Sequence, residues 1–509
     1  MPTLDWIGKD KVINHHNDVP YKVLERKYSF DESGMHKEEI HSNNMIIHGD
    51  NLEALKSLLP QYEGKIKCIY IDPPYNTGNE GWIYNDNVND PKIKKWLGEV
   101  VGKEGEDLSR HDKWLCMMYP RLVLLQKLLA DDGAIFISID DNEHANLLLV
   151  CNEVFGSNNF IQDIIWNKRV SPARDAKFFS TDHEYILVYS KNKESLTTHF
   201  LPRTEKNNSY YKNPDNDPRG PWNSAAYTCN KSRDERPNLY YPITNPYTGE
   251  KIFPKESAVW AYSEETYQQH VRDNLLYWGV NGEAKQPRKK AFLSEVGDVV
   301  PRSVWSHSDV GSTQKATMEN NTIFNMRAFS YPKVSTLVER IIQIASDKDS
   351  IVLDSFAGSG TTAHAVLNMN KSDGGNRKFI LVEMGDYADT ITAERVKRVI
   401  NGYGEGKNAV EGTGGNFSYY ELGNPLFMQD GTINDEVDIT EVRKYVWYTE
   451  TNGIEYKEDI QEKYFLGSYN DTAYYFYYEK DRVTILDYEF LTSVHKKEQT
   501  YVMYADSCA

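Results

Sequence analysis

The chain has 509 residues, 39% of them hydrophobic, and a formal net charge of −17. The length suits roughly three domains. No run of about 18 apolar residues exists to span a bilayer, the five cysteines stand singly with no Cys-x-x-Cys pair, and the net acidity argues against a chain that faces nucleic acid along its whole surface.

Residues 1–43 are polar and irregular and read as an N-terminal extension. They lack the basic and apolar regions of a signal peptide. With isolated cysteines, this gives a reduced, cytoplasmic setting and no metal site. Met45–Asn51 reads as a short strand and turn, with Asp50 or Asn51 capping a helix over 52–59. The next apolar run ends abruptly in Asp72-Pro73-Pro74-Tyr75. The prolines halt the ladder because they donate no N–H. This leaves Asp72 at a strand's carboxyl end, the edge of an α/β sheet where ligands bind. An acid, a rigid carbonyl and an aromatic plate suit a flat base that carries an amino group.

Residues 76–113 are rich in Asn, Asp, Gly and Lys and read as a mobile loop over that site. A helix is expected over 114–130, strands over 134–139, 161–167 and 185–189, and a helix over 143–155. From 168 to 325 the periodicity fades into an insert. Residues 161–340 carry 25 Lys+Arg against 21 Asp+Glu, so this is the stretch suited to a polyanion. Arg169, Arg174, Lys177, Lys285, Arg288, Lys289 and Lys290 are the candidate phosphate contacts, interleaved with aromatics such as Trp222 and Tyr227.

The sheet rhythm returns with a helix over 333–346 and the strand Ile351–Asp354. Its glycine turn, Ser355-Phe356-Ala357-Gly358-Ser359-Gly360-Thr361, opens a helix. Such a turn lets backbone approach a ligand closely. No Lys follows the glycines, which excludes an ATPase phosphate loop, and the third spaced glycine of a dinucleotide site is missing. Glu383 ends the next strand 23 residues after Gly360, where an acid pairs with ribose hydroxyls. Residues 326–401 complete the catalytic half at 44–167, Gly402–Gly415 reads as a linker, and 416–509 reads as a separate C-terminal unit.

Together these motifs resemble the β class of DNA adenine amino-methyltransferases. The runs from Gly49-Asp50-Asn51 through Asp72-Pro73-Pro74-Tyr75 to Phe136-Ile137-Ser138-Ile139-Asp140-Asp141 are similar to the modification subunits of type III restriction systems. The resemblance implies a Rossmann-like, S-adenosyl-L-methionine-dependent fold. Its sheet would be mostly parallel and seven-stranded, with circularly permuted motif order, an inserted target recognition domain and a small α+β C-terminal domain. It implies that Asp72 and the Pro73 carbonyl accept from the amine of a flipped adenine, with Pro74 and Tyr75 completing the catalytic motif and Tyr75 stacking on the base. Glu383 would hold the cofactor ribose and Asp50 its adenine. Asp354, Phe356, Gly358, Gly360 and Thr361 would shape the cofactor pocket, with Phe329 and Pro332 in the segment that opens the cofactor half. The implied partners are double-stranded DNA, a second copy of the chain and a separate helicase-nuclease subunit. The alternatives are a stand-alone methyltransferase acting on adenine or on the N4 amine of cytosine, and a non-catalytic DNA-binding specificity subunit.

Overall fold

The computed structural model describes residues 3–77, 107–174, 176–457 and 462–509. The chain divides into two compact units, Met1–His199 with Arg302–Ala509, and Phe200–Pro301. Most of the loop expected at 76–113 lies outside the described residues. Its last part is already helical, since the helix expected at Trp114 begins at Asp107 and runs to Leu128.

The larger unit is built on one eleven-stranded sheet among the described residues. Its order is Val304–Trp305, Phe160–Asn167, His183–Ser190, Leu129–Ile139, Ile66–Ile71, Ile351–Asp354, Lys378–Glu383, Met45–His48, Asn416–Pro425, Lys22–Asp31 and Gly34–His36. The seven strands from Phe160–Asn167 to Met45–His48 form the expected sheet. Six of them run parallel, and His183–Ser190 is antiparallel to both its neighbours. All six residues of Ile66–Ile71 are buried, as a parallel strand covered on both faces requires. Ile66–Ile71 and Ile351–Asp354 lie side by side, with Leu353 opposite Ile69. The chain order jumps between these two strands, which marks the switch point where α/β folds bind ligands beyond the strand ends. Both acidic motifs therefore emerge at one edge.

Three boundaries differ from the sequence reading. The 416–509 segment is not a separate unit. Asn416–Pro425 pairs in parallel with Met45–His48 and antiparallel with Lys22–Asp31. Tyr28 stacks on Tyr419 with ring centroids 5.0 Å apart. That pairing also makes part of the N-terminal extension an ordered sheet margin. Gly402–Gly415 is consequently no interdomain linker, and Gly402–Tyr403 pairs with Val410–Glu411 within it. Thirdly, the 168–325 segment is split. His183–Ser190 is a central strand, the helix Thr313–Phe324 belongs to the larger unit, and only Phe200–Pro301 forms a compact unit of its own.

That smaller unit holds a three-stranded antiparallel sheet in the order Leu276–Tyr277, Arg288–Phe292, Trp222–Ala226. Tyr227, Tyr241, Ile243, Trp260, Tyr267 and Trp278 form its core. Trp222 and Tyr227, expected among base-contacting aromatics, are buried packing residues.

Candidate active site

The Asp72–Tyr75 stretch leaves the sheet and is pinned from two sides. The Trp114 indole N–H donates to the Pro74 carbonyl at 2.7 Å. Asn76 takes the left-handed conformation, φ 60°, and its buried amide bonds the Glu143 carboxylate. Asn tolerates that region better than most residues.

Four charged groups converge there. Lys333 Nζ lies 3.1 Å from Asp72 Oδ1 and 2.7 Å from Glu184 Oε2, and it donates to the Tyr75 hydroxyl at 2.6 Å. That hydroxyl lies 2.9 Å from Asp72 Oδ1 and 3.1 Å from Glu184 Oε2. Lys168 pairs with the other Glu184 oxygen at 2.7 Å. The Lys333 ammonium also sits 5.5 Å from the ring centroid of Trp166, while it meets Tyr75 at the hydroxyl end of its ring. Burial pushes the Asp72 carboxyl above its ordinary range, with Lys333 opposing and Glu184 adding to the rise. Burial would also raise Glu184, but the charges of Lys333 and Lys168 outweigh it and hold that carboxyl at about 2. Burial alone would lower Lys333, yet Asp72 and Glu184 lift it to about 12.

The glycine turn lies at the neighbouring strand end. Gly358 and Gly360 have φ of 51° and 83°. Asp354 braces the turn, accepting from the Phe356 N–H at 3.0 Å and the Thr362 hydroxyl at 2.5 Å. Its burial, with the charges of Asp72 and Glu383, lifts its carboxyl to about 7 despite those bonds. Arg395, fully buried, supports the turn from beneath through Ser359 Oγ at 2.8 Å and Thr361 Oγ1 at 2.9 Å. Glu383 accepts the N–H groups of Gly358 at 2.7 Å and Gly385 at 2.8 Å, one on each oxygen. The Tyr387 side chain also bonds this carboxylate. Ser355 Oγ is buried without a partner. Phe329 packs edge-on against Tyr387 at 5.5 Å and borders the space above Gly358, and Pro332 is buried beside it. Positive-φ glycines, an orphan hydroxyl and an acid at the end of the next strand fit an adenosyl cofactor.

Asp50 stands at the start of a helix. Its Oδ1 caps the helix Asn51–Tyr62 through Leu52 and Glu53, and its Oδ2 lies 3.4 Å from Arg121. The adjacent Asn51 reaches the cofactor turn, donating to the Ser355 carbonyl at 3.0 Å.

Arg169, Arg174 and Lys177 are exposed on the connection between Phe160–Asn167 and His183–Ser190, beside Phe178 and Phe179 at 82% and 93% exposure. The connection is closed at its base, where the Lys168 N–H donates to the Asp182 carbonyl at 2.9 Å. In the smaller unit Lys285 and Arg288 are exposed, and Lys289 lies over Tyr262. Lys290 departs from the expectation. It is 2% exposed and bonded to Asp215 at 2.5 Å and Asp217 at 2.8 Å, so it is an internal ion pair and not a phosphate contact. Sequence reading assigned no role to Lys333, beyond its place at the end of the segment 329–333, nor to Glu184, Lys168 or Trp114, which stand outside recognisable motifs. The only local signal was Lys333 directly following Pro332. Among the described residues no cluster of His, Cys, Asp or Glu could hold a metal ion, and no helix is long and apolar enough to cross a membrane.

A family model described as DNA methylase matches residues 66–394, which include both motifs. The chain is 34% identical over 424 residues to the type III restriction-modification enzyme StyLTI Mod subunit of Salmonella typhimurium, covering 78% of this chain and 62% of that protein. It is 32% identical to the EcoPI Mod subunit of Escherichia phage P1, covering 75% and 63%. It is 33% identical to the type II methyltransferase M.KpnI of Klebsiella pneumoniae, covering 67% and 81%. Among solved structures, the cytosine-N4-specific PvuII DNA methyltransferase aligns over 70% of this chain and 86% of its own, at 14% identity and a TM-score of 0.37. The chain spans less than two thirds of the length of the two Mod subunits. The extent of the family match, with both motifs inside it, makes this chain a member of the DNA methylase family.

Proposed function

We propose that the chain transfers a methyl group from S-adenosyl-L-methionine to the exocyclic N6 amine of an adenine flipped out of double-stranded DNA. In this reading it is the modification subunit of a type III restriction-modification system. The observation that carries the reading is the pair of adjacent parallel strand ends, one bearing Asp72 and Tyr75, the other the Asp354–Thr361 glycine turn.

The cofactor supplies an electrophilic methyl group on a sulfonium. The chain's own residues do the rest. Asp72 and the Pro73 carbonyl accept from the amine and aim its lone pair at the methyl carbon. When bound, the cofactor would give up its methyl group to the amine with the C–S electron pair left on sulfur, and the surplus amine proton would leave to water past Asp72. No covalent nucleophile is needed, and orientation supplies most of the rate. Lys333 holds the hydroxyl end of Tyr75, and a face of the ring is assigned to the base. Asp72 favours adenine over cytosine, since the N4-cytosine enzymes of the resemblance more often carry Ser there. Arg169, Arg174, Lys177, Lys285, Arg288 and Lys289 would contact phosphates, giving affinity without sequence information.

The relatives named as Mod subunits of type III restriction-modification enzymes support a chain that works with a further subunit. The cytoplasmic homodimer and the helicase-nuclease identity of that subunit rest on the family resemblance alone. The M.KpnI match, covering 81% of that protein, favours a second reading in which the enzyme works without such a partner. Incubating the purified chain with methyl-labelled cofactor and unmethylated genomic DNA, followed by nucleoside mass spectrometry, tests the proposal. N6-methyladenine is expected, and label found only in N4-methylcytosine would overturn the base assignment.

A further inference from the structure

Lys333 is the point where the two halves of the site meet. Its backbone carbonyl accepts from the Thr361 hydroxyl of the glycine turn at 3.2 Å, while its side chain reaches across to Asp72, Tyr75 and Glu184. An ammonium has three protons to donate, and here it has three acceptors at 2.6–3.1 Å. Both Lys333 and the Tyr75 hydroxyl bond the same carboxylate oxygen, Asp72 Oδ1. One edge of the carboxylate is therefore held, and its rotation is fixed.

We infer that Lys333 is a positioning residue that keeps Asp72 ionised and turns its Oδ2 toward the amine to be methylated. The inference rests on the methyl-transfer reading above. An amine proton needs an acceptor, and a protonated Asp72 would present a donor instead. Most of the surroundings favour protonation. Burial, Glu184 from the His183–Ser190 strand, Asp354 from the neighbouring strand and Tyr70 on its own strand all disfavour or fail to offset the negative charge. Tyr75 offers one neutral hydrogen bond. Among the described residues Lys333 is the cation in contact with Asp72, and Lys168 is engaged by Glu184. Lys168 thereby leaves Lys333 partly free to serve Asp72, although both acids converge on it.

The arrangement gives two substitutions with opposite signs. Lys333→Met removes the opposing charge, so the Asp72 titration should move up by about 1–3 pH units. The acid limb of the methylation rate should follow it. Glu184→Gln removes a like charge and makes Asp72 the sole carboxylate partner of Lys333, so the same limb should move down. Lys333→Arg should restore most of the wild-type profile. The titration itself is read without substrate, from the infrared carboxyl band of each protein minus that of its Asp72→Asn counterpart. Opposite movements of that midpoint in the Met and Gln variants support the inference. Midpoints that coincide with wild type in both variants would overturn it. Absence of methyl transfer by the wild-type protein, with the infrared midpoints still moving, would count against the methylation reading and leave the charge pairing standing.

Discussion

Gly360 has φ 83°, and a Cβ there would lie 2.9 Å from the Thr392 carbonyl oxygen. Gly360→Val should therefore strain the turn by about 1–3 kcal/mol and abolish cofactor binding, which calorimetry and a thermal melt would read together. Normal affinity in that variant would remove the turn from the cofactor site. Lys290 yields a different expectation from the one its sequence neighbourhood suggests. Lys290→Ala removes the cation that Asp215 and Asp217 share. Arg219 still pairs with Asp217 and Asp215 is partly exposed, so the cost should fall below the about 3–5 kcal/mol of a fully uncompensated buried pair. The thermal stability of the Phe200–Pro301 unit should fall. Hydrogen bonds from Arg219 and then the Lys290 charge hold the Asp217 carboxyl well below its ordinary range. Its contribution is thus present at neutral pH and is lost as the pH falls through the acid range. At this scale the short motifs were legible because their residues are contiguous, as in Asp72–Tyr75 and Asp354–Thr361. Lys333, Glu184 and Lys168 were not, because an ion pair across 149 residues leaves no local pattern.

The elements of the central sheet were legible for a related reason. Buried parallel strands are continuous apolar runs, and Ile66–Ile71 and Lys378–Glu383 announce themselves. The strand Asn416–Pro425 did not. Its burial is partial and irregular, glycines precede it, and its pairing with residues 22–31 and 45–48 is remote in sequence. The structure makes a specific claim about truncation. A chain ending at residue 415 would leave the Met45–His48 edge unpaired and uncover Tyr28 and Phe30. Exposed edges of that kind aggregate. The truncated protein should be insoluble or melt far below the full chain, whereas a soluble, fully stable 1–415 fragment would show that the segment is dispensable to the fold.

At the scale of the whole molecule, the insert and the catalytic framework interpenetrate. Residues 168–325 include Lys168 and Glu184 of the active-site network, and Glu319, which pairs with Arg395 beneath the glycine turn. Exchanging all of 168–325 with a relative should therefore destroy activity wherever those partners differ. Exchanging only 200–301, the compact unit, should preserve activity and move methylation to the relative's target sequence. An active 200–301 chimera that still modifies the original sequence would assign recognition to another part of the chain.

The central claim is that Asp72 directs methyl transfer to adenine in DNA. Sequencing that detects modified bases, applied to DNA from cells expressing the chain or its Asp72→Ala variant, tests it most directly. The account predicts N6-methyladenine at one defined sequence with the wild-type chain and none with the variant, while the purified variant still binds cofactor. Equal adenine methylation by the variant, or no modified adenine with a folded, cofactor-binding wild-type protein, would contradict it.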